Sequence, residues 1–169
     1  QRPFNRRIMS FSRKACSMNG FLEQFAKDFA ASIIAVDAKR PHAINQRSKQ
    51  PFKPGIGPHS EAKTLDLVMR EMASRNFNPY SDFETGIRYP GQSRQKCDLL
   101  IPTFDETWFI EAKLMRLLGD NGRPNDNMLL HILSPYTQHR SAVSDCEKLL
   151  ASGFEGRKAI LILGYEPPD

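Results

Sequence analysis

The sequence predicts an α/β fold built from one short β-sheet and the helices around it. Residues 97–101 and 108–112 are two apolar runs on either side of a turn, and both are rich in strand-forming residues. An alternating segment at residues 82–89 and an apolar run at residues 158–164 predict two further strands, and helical stripes lie before and between them. At 169 residues, of which 40% are hydrophobic, the chain suits one domain with a sizeable core.

The first 59 residues are predicted to form a basic N-terminal helical extension to a core of residues 60–169. Aromatic and aliphatic residues at helical spacing predict a helix over about residues 19–36, whose apolar face packs on the core or on a second copy of the chain. Residues 37–59 contain four prolines and two glycines, a composition that predicts a loop.

The next helix is predicted to begin at Ser60 and to extend to about Asn76. Ser60 is a favourable N-cap residue. Apolar residues follow at the spacing of a buried stripe, namely Leu65, Val68, Met69 and Met72. Glu61 lies four residues before Leu65 on this stripe. Two interpretations of Glu61 stay open: a first-turn acid that favours the helix dipole and remains in water, or a carboxylate that a partner draws toward the interior.

A β-hairpin is predicted after the strand at residues 82–89. Polar residues and a proline between residues 102 and 107 favour a turn. Counting outward from a turn centred near residues 104 and 105 places Asp98 opposite Glu111, so that both side chains share one face. Because side chains alternate along a strand, Lys113 lies on that face as well.

These three charges have two interpretations. Acidic residues on a hairpin commonly form only its solvated face. Here both arms are apolar at successive positions, which is typical of strands covered on both faces, and charges in such strands need a partner or a metal. Carboxylate oxygens are the ligands that hard divalent cations prefer. The two carboxylates are therefore predicted to have either a cationic partner or a divalent cation, which both could reach.

The C-terminal part is predicted to form a helix and a buried strand. Ser134 and Pro135 are a typical helix start, and Gly153 supplies a stop. The apolar run at residues 158–164 predicts a strand that is covered on both faces. From residue 60 onward the predicted order is helix, strand, strand, strand, helix, strand.

The chain resembles the PD-(D/E)XK nuclease superfamily, the restriction-endonuclease-like fold, in two respects. Asp98, a spacer of twelve residues and then Glu111-Ala112-Lys113 match its signature, although Cys97 stands where the superfamily name has proline. The order of elements matches from about residue 60 to residue 165. The resemblance implies a short mixed β-sheet with helices on both faces. It also implies that Asp98 and Glu111 bind Mg²⁺, for which Mn²⁺ would substitute, that Glu61 is a direct or second-layer ligand, and that Lys113 orients the attacking water.

Positive charge is concentrated in the first 60 residues. They contain eleven Lys and Arg against three acids, whereas residues 61–169 contain thirteen against sixteen. A basic segment serves solubility in many proteins, but it also suits a polyanion, because cations that neutralise phosphates release condensed counterions. The residues predicted to contact nucleic acid are Lys39, Arg40, Arg47, Lys49, Lys53, Arg123, Gln138 and Arg140.

Cysteine content and hydropathy predict an intracellular, cytoplasmic protein. The three cysteines have no paired spacing, which argues against a disulfide framework and against a tetrahedral zinc site. No apolar run reaches membrane-spanning length, so a membrane partner is not expected.

The sequence thus predicts a metal-dependent endonuclease that hydrolyses phosphodiester bonds in DNA, with double-stranded DNA as the first expectation. A restriction-type enzyme that cuts both strands needs two sites, so a homodimer is expected. Two alternatives stay open. One is a repair or recombination nuclease of the same fold that acts on structured DNA, single-stranded DNA or RNA. The other is a nucleic-acid-binding module without catalysis.

Overall fold

The computed structural model describes residues 18–75, 80–116 and 128–165. Within these ranges the elements are α1 (Met18–Ala38), α2 (Glu61–Ala73), β1 (Glu84–Arg88), β2 (Lys96–Pro102), β3 (Thr107–Arg116), α3 (Met128–Leu133), a 3₁₀ turn (Thr137–His139), α4 (Ala142–Leu150) and β4 (Arg157–Tyr165). The predicted α/β class is confirmed. The predicted order of elements is present, with α3 and the 3₁₀ turn as additions.

The four strands form one mixed sheet in the order β1-β2-β3-β4. Strands β1, β2 and β3 are antiparallel neighbours, whereas β3 and β4 are parallel. A parallel pair needs a crossover connection between its strands, and the chain provides one through α3 and α4. This topology sets α4 beside the middle of β3.

The two faces of the sheet carry different layers. On one face, Phe25 and Phe29 of α1 and Val68 of α2 pack with Ile110 of β3 in the main hydrophobic core. The opposite face has a smaller cluster in which Phe109 of β3 packs with residues that include Leu149 of α4. Because side chains alternate along β3, residue 111 points to the same side as Phe109, toward α4.

Helix α1 confirms the predicted helix over residues 19–36, and its aromatic side chains pack on the core. Phe21 stacks on Trp108 of β3 with ring centroids 4.9 Å apart. Ile34, which belongs to the predicted stripe, is 72% exposed. The helix therefore shares a core with residues beyond 60, and the boundary at residue 59 stays a prediction.

The segment between α1 and α2 is mostly irregular, as its composition indicates. It contains one small hairpin, in which Ile44 forms a β-bridge with Pro51 and Phe52 N donates to Ala43 O. Helix α2 then begins with Ser60 as its N-cap, because the Ser60 side chain accepts a hydrogen bond from Lys63 N. The predicted start of this helix is confirmed, and its end lies at Ala73.

The predicted helix start at Ser134 is wrong. Helix α4 begins at Ala142, and Ser141 is its N-cap because its Oγ accepts from Ser144 N at 3.2 Å. The Ser134 side chain is engaged locally, since it bonds to His139 and accepts from Tyr136 N. It closes the 3₁₀ turn and does not cap a long helix.

The end of α4 and the residues before it also differ from the prediction. Helix α4 ends at Leu150, and Ala151 is its C-cap. The helix therefore ends three residues before Gly153, the predicted stop. Gln138 lies in the 3₁₀ turn and Arg140 follows it with φ +47°, so neither residue opens the helix.

Candidate active site

The strands β2 and β3 bring Asp98 and Glu111 together. Leu99 pairs with Ile110, and Leu100 pairs with Phe109. Continuing this antiparallel register by one residue sets Asp98 opposite Glu111, and the Asp98 carboxyl is close enough to raise the pKa of Glu111. The second oxygen of Asp98, Oδ2, accepts from Ala112 N at 2.8 Å, which fixes the orientation of the carboxylate.

Glu111 is the most enclosed acid of the site, with 3% of its surface exposed. Its Oε1 accepts hydrogen bonds from Tyr89 Oη and from Lys148 Nζ, the latter at 2.8 Å. Burial and the neighbouring Asp98 carboxyl raise the pKa of Glu111 to about 7, although Lys148 and Tyr89 oppose the rise. The carboxyl group therefore changes its charge near neutral pH.

Lys113 points to α4, where it meets Asp145. Lys113 Nζ lies 2.6 Å from Asp145 Oδ2, and it also donates to the Arg140 carbonyl oxygen at 3.0 Å. Asp145 Oδ1 accepts from Lys148 Nζ at 3.0 Å. Glu111, Lys148, Asp145 and Lys113 thus form a chain of alternating charges between β3 and α4, which we call the charge ladder.

Tyr89 and Lys148 contact each other, and both donate hydrogen bonds to Glu111. Lys148 Nζ lies 5.1 Å above the centre of the Tyr89 ring, a cation–π arrangement. Burial lowers the pKa of Lys148, but hydrogen bonds to Glu111 and Asp145 outweigh burial, so the net shift is upward. Burial and the bond to Glu111 raise the pKa of Tyr89, so the phenol stays a proton donor.

Glu61, the first residue of α2, also lies at this site. Its Oε2 accepts from Leu114 N at 2.6 Å, so the carboxylate is attached to β3. Burial raises the pKa of Glu61, whereas Lys113 and the Leu114 amide oppose the rise and Asp98 and Asp145 add to it. Of the two interpretations, the geometry fits the one in which a partner draws Glu61 toward the interior.

These side chains open on one pocket of about 550 Å³. Acidic, basic and polar residues line it together, and they are Glu61, Arg94, Gln95, Lys96, Asp98, Glu111, Lys113, Arg140, Ser144, Asp145 and Lys148. The site residues predicted as metal ligands or as the catalytic lysine therefore share one cavity. A neighbouring pocket shares Glu61, Lys113 and Arg140 with it and also includes Gln138.

The donor set fits a hard cation. Asp98, Glu111 and Glu61 offer carboxylate oxygens, which Mg²⁺ and Mn²⁺ prefer. The Asp98 carboxyl also raises the pKa of Glu111, as expected for two neighbouring carboxyl groups, and a divalent cation bound between them would relieve this repulsion. In the described parts of the chain no cluster of three or more His, Cys, Asp and Glu is in place as a metal site, so the fit rests on the carboxylate pair.

The cations predicted in the N-terminal loop lie outside this pocket. Lys39, Arg40, Arg47, Lys49 and Lys53 are exposed, and the residues that line the pocket do not include them. Among them, Lys39 forms an ion pair with Glu71. Arg123, which is also a predicted contact, lies outside the described residues.

The sequence interpretation missed Asp145 and Lys148 on α4, Tyr89 after β1, and the pocket residues Arg94 and Lys96. One signal was present. Asp145 lies four residues before Leu149, which is buried, and so occupies the apolar side of α4. The same reasoning had singled out Glu61 on α2.

Comparisons of this chain with protein-family models, with curated proteins and with solved structures find no match. No helix among the described residues is long and apolar enough to cross a membrane. Fold and site thus define an α/β protein with a mixed four-stranded sheet and a half-enclosed cluster of carboxylates and lysines.

Proposed function

We propose that the protein is a metal-dependent DNA endonuclease of the restriction-endonuclease-like fold. The observation that supports this proposal most is the pair of carboxylates at Asp98 and Glu111, in contact with each other inside a pocket that also holds Lys113. A mixed sheet with helices on both faces agrees with the architecture that the sequence resemblance implies. Double-stranded DNA is the proposed substrate, and a homodimer would supply one site for each strand.

Asp98 and Glu111 would hold Mg²⁺, with Glu61 as a further direct or second-layer ligand. When bound, the cation supplies Lewis-acid polarisation of the phosphate and a lower pKa for water. The chain's own groups do the rest. Ala112 N fixes the orientation of the Asp98 carboxylate. Lys148 and Tyr89 fix the orientation of the Glu111 carboxylate.

Lys113 is the proposed catalytic amine. Its contacts with Asp145 and the Arg140 carbonyl hold it at the pocket wall. There it can orient a water molecule and stabilise negative charge on the phosphate oxygens in the transition state. In the reaction the water oxygen forms a bond to phosphorus, the bond from phosphorus to one sugar oxygen breaks, and that sugar oxygen takes up a proton.

The test is incubation of purified protein with plasmid, linear duplex and single-stranded DNA, with Mg²⁺ or with chelator, followed by gel electrophoresis. Cleavage should need Mg²⁺ or Mn²⁺ and should be lost in Lys113→Ala, while DNA binding persists. Discrete fragments would indicate a sequence-specific duplex enzyme, whereas preference for forks or flaps would indicate the structure-specific alternative. Binding without cleavage by either protein, with every metal tried, would contradict the proposal and favour a binding module.

A further inference from the structure

The cations of the pocket fall into two groups. Lys113 and Lys148 are paired with carboxylates in the charge ladder. Arg94, Lys96 and Arg140 also line the pocket, but none of the three forms an ion pair within the described parts of the chain. All three residues are exposed. They are therefore free to bind an anion from solution.

The free cations lie on two walls of the pocket. Lys96 is the first residue of β2, two positions before Asp98, and Arg94 lies in the connection that precedes it. Arg140 lies in the loop before α4, and its carbonyl oxygen accepts the hydrogen bond from Lys113. The carboxylates are thus bordered by cations from the β2 wall and from the α4 wall.

The backbone at Arg140 is held in a costly conformation. Its φ of +47° lies in the left-handed region, which residues with a side chain adopt at a cost and which commonly occurs at functional sites. Lys113 Nζ donates a hydrogen bond to the Arg140 carbonyl oxygen at 3.0 Å, and this bond holds the backbone of Arg140 in place. The Arg140 side chain then borders both the main pocket and the neighbouring one.

The three free cations change the sign of the formal net charge of the pocket. The four carboxylates that line the pocket outnumber the two paired lysines, which leaves a formal excess of two negative charges that repels phosphate. Arg94, Lys96 and Arg140 reverse the sign to one net positive charge. Without them the pocket attracts metal cations but not a polyanion.

We propose that Arg94, Lys96 and Arg140 are the phosphate-binding residues of this site. A nucleic acid strand would cross the pocket from the β2 wall to the α4 wall, with backbone phosphates on these cations and the phosphate between them above the carboxylates. This inference deepens the proposed function and rests on it for the identity of the substrate. Arg140 is one of the contacts predicted from the sequence, whereas Arg94 and Lys96 are added by the structure.

The test measures the affinity for a labelled DNA duplex in chelator, by fluorescence anisotropy, over a series of salt concentrations. Each of Arg94→Ala, Lys96→Ala and Arg140→Ala removes one phosphate contact. Each should weaken binding and reduce the slope of log K against log salt by about 0.9. Arg140→Lys and Arg94→Lys keep the charge and should keep most of the slope.

The matched control is Arg75→Ala. Arg75 is exposed and follows the C-terminal end of α2, whereas Glu61 begins that helix, so its loss should leave the slope unchanged. Slopes of the three variants equal to that of Arg75→Ala would overturn the inference. Thermal melting of each variant shows whether it is folded.

Cleavage with Mg²⁺ separates this inference from the proposed function. If the wild type cleaves DNA but the three variants bind as the wild type does, the function stands and the inference fails. Weaker binding in the variants, together with no cleavage by any protein, would support the phosphate contacts and contradict the nuclease. For an active enzyme, we expect KM to rise more than kcat falls.

Discussion

Lys148 Nζ lies 2.8 Å from Glu111 Oε1 and 3.0 Å from Asp145 Oδ1, so one amine joins the sheet to helix α4. Three-quarters of the Lys148 side chain is buried, and 4% of the Glu111 side chain is exposed. Ions in such a setting lose much of their hydration, and the loss of one partner leaves the other charge uncompensated. Lys148 therefore links the two carboxylates of the charge ladder, and its ion pairs contribute both to the stability of the fold and to the arrangement of the site.

Lys148→Met is predicted to destabilise the protein strongly. The substitution leaves Glu111 buried without its cation, and the free energy of unfolding should fall by about 3 kcal/mol at pH 8. Urea denaturation measures the change. Lys27→Met is the matched control, because Lys27 pairs with Glu23 on the surface with both side chains 66% exposed, and its effect should stay below about 1 kcal/mol. Equal effects of the two substitutions would contradict the account.

Stability without metal is predicted to depend on pH through Glu111. Its pKa is raised from 4.5 to about 7, so the folded state binds the proton more tightly than the unfolded state does. The stabilisation that the Glu111 proton gives the folded state is fully present below pH 4.5 and is lost as the pH rises through about 7. At ~1.4 kcal/mol per pH unit it amounts to about 3 to 4 kcal/mol. Urea denaturation in chelator from pH 5 to 8 measures it.

Glu111→Gln supplies the control for this pH dependence. The amide has no charge to lose, so the difference in stability between variant and wild type should grow in favour of the variant from pH 5 to 8. Mg²⁺ or Mn²⁺ should stabilise the wild type most at pH 8 and should have little effect on the variant. Parallel pH curves for the two proteins would show that Glu111 is not the titrating group.

Asp145→Asn is predicted to separate binding from cleavage. The substitution removes a negative charge from the pocket, so the affinity for DNA in chelator should rise. It also removes the carboxylate that holds Lys113 and Lys148, and cleavage should fall roughly 10-fold to 100-fold. Anisotropy and a single-turnover cleavage assay measure the two effects. Binding and cleavage that change in the same direction would argue against a positioning role for Asp145.

Helix α1 is predicted to be necessary for the fold of the whole chain. Phe25 is 2% exposed and packs edge-on against Tyr80, and Phe25→Ala should cost about 3 to 5 kcal/mol. Ile34→Ala on the same helix is the control, because Ile34 is 72% exposed and its loss should change stability by less than about 0.5 kcal/mol. A small effect of Phe25→Ala on global unfolding would instead indicate that α1 unfolds separately from the sheet.

The local part of the site was predictable from the sequence because a short hairpin fixes its own register. Counting from the turn places Asp98 opposite Glu111, and the observed pairing of Leu99 with Ile110 has the same register. Ser60 was predictable as a cap because a clear apolar stripe follows it. Each of these inferences uses neighbours within about fifteen residues.

The partners from α4 were not predictable in this way. Lys148 meets Glu111 only because the crossover between two parallel strands sets α4 above β3, and no local spacing encodes that contact. Similarly, Ser134 and Ser141 both resemble helix caps, but the Ser134 side chain bonds within the 3₁₀ turn, whereas Ser141 accepts from Ser144 N and caps α4. The roles of Arg94 and Lys96 as pocket residues depend on the same three-dimensional arrangement.

The most direct test of the central claim is a crystal structure of the protein soaked with Mn²⁺, with the anomalous signal of manganese measured. We predict one manganese peak within ligand distance of both Asp98 and Glu111, which is absent in crystals of Glu111→Gln treated in the same way. If Mn²⁺ binds elsewhere or not at all, while Asp98 and Glu111 still face the pocket, the account of this pocket as a metal-dependent nuclease site is wrong.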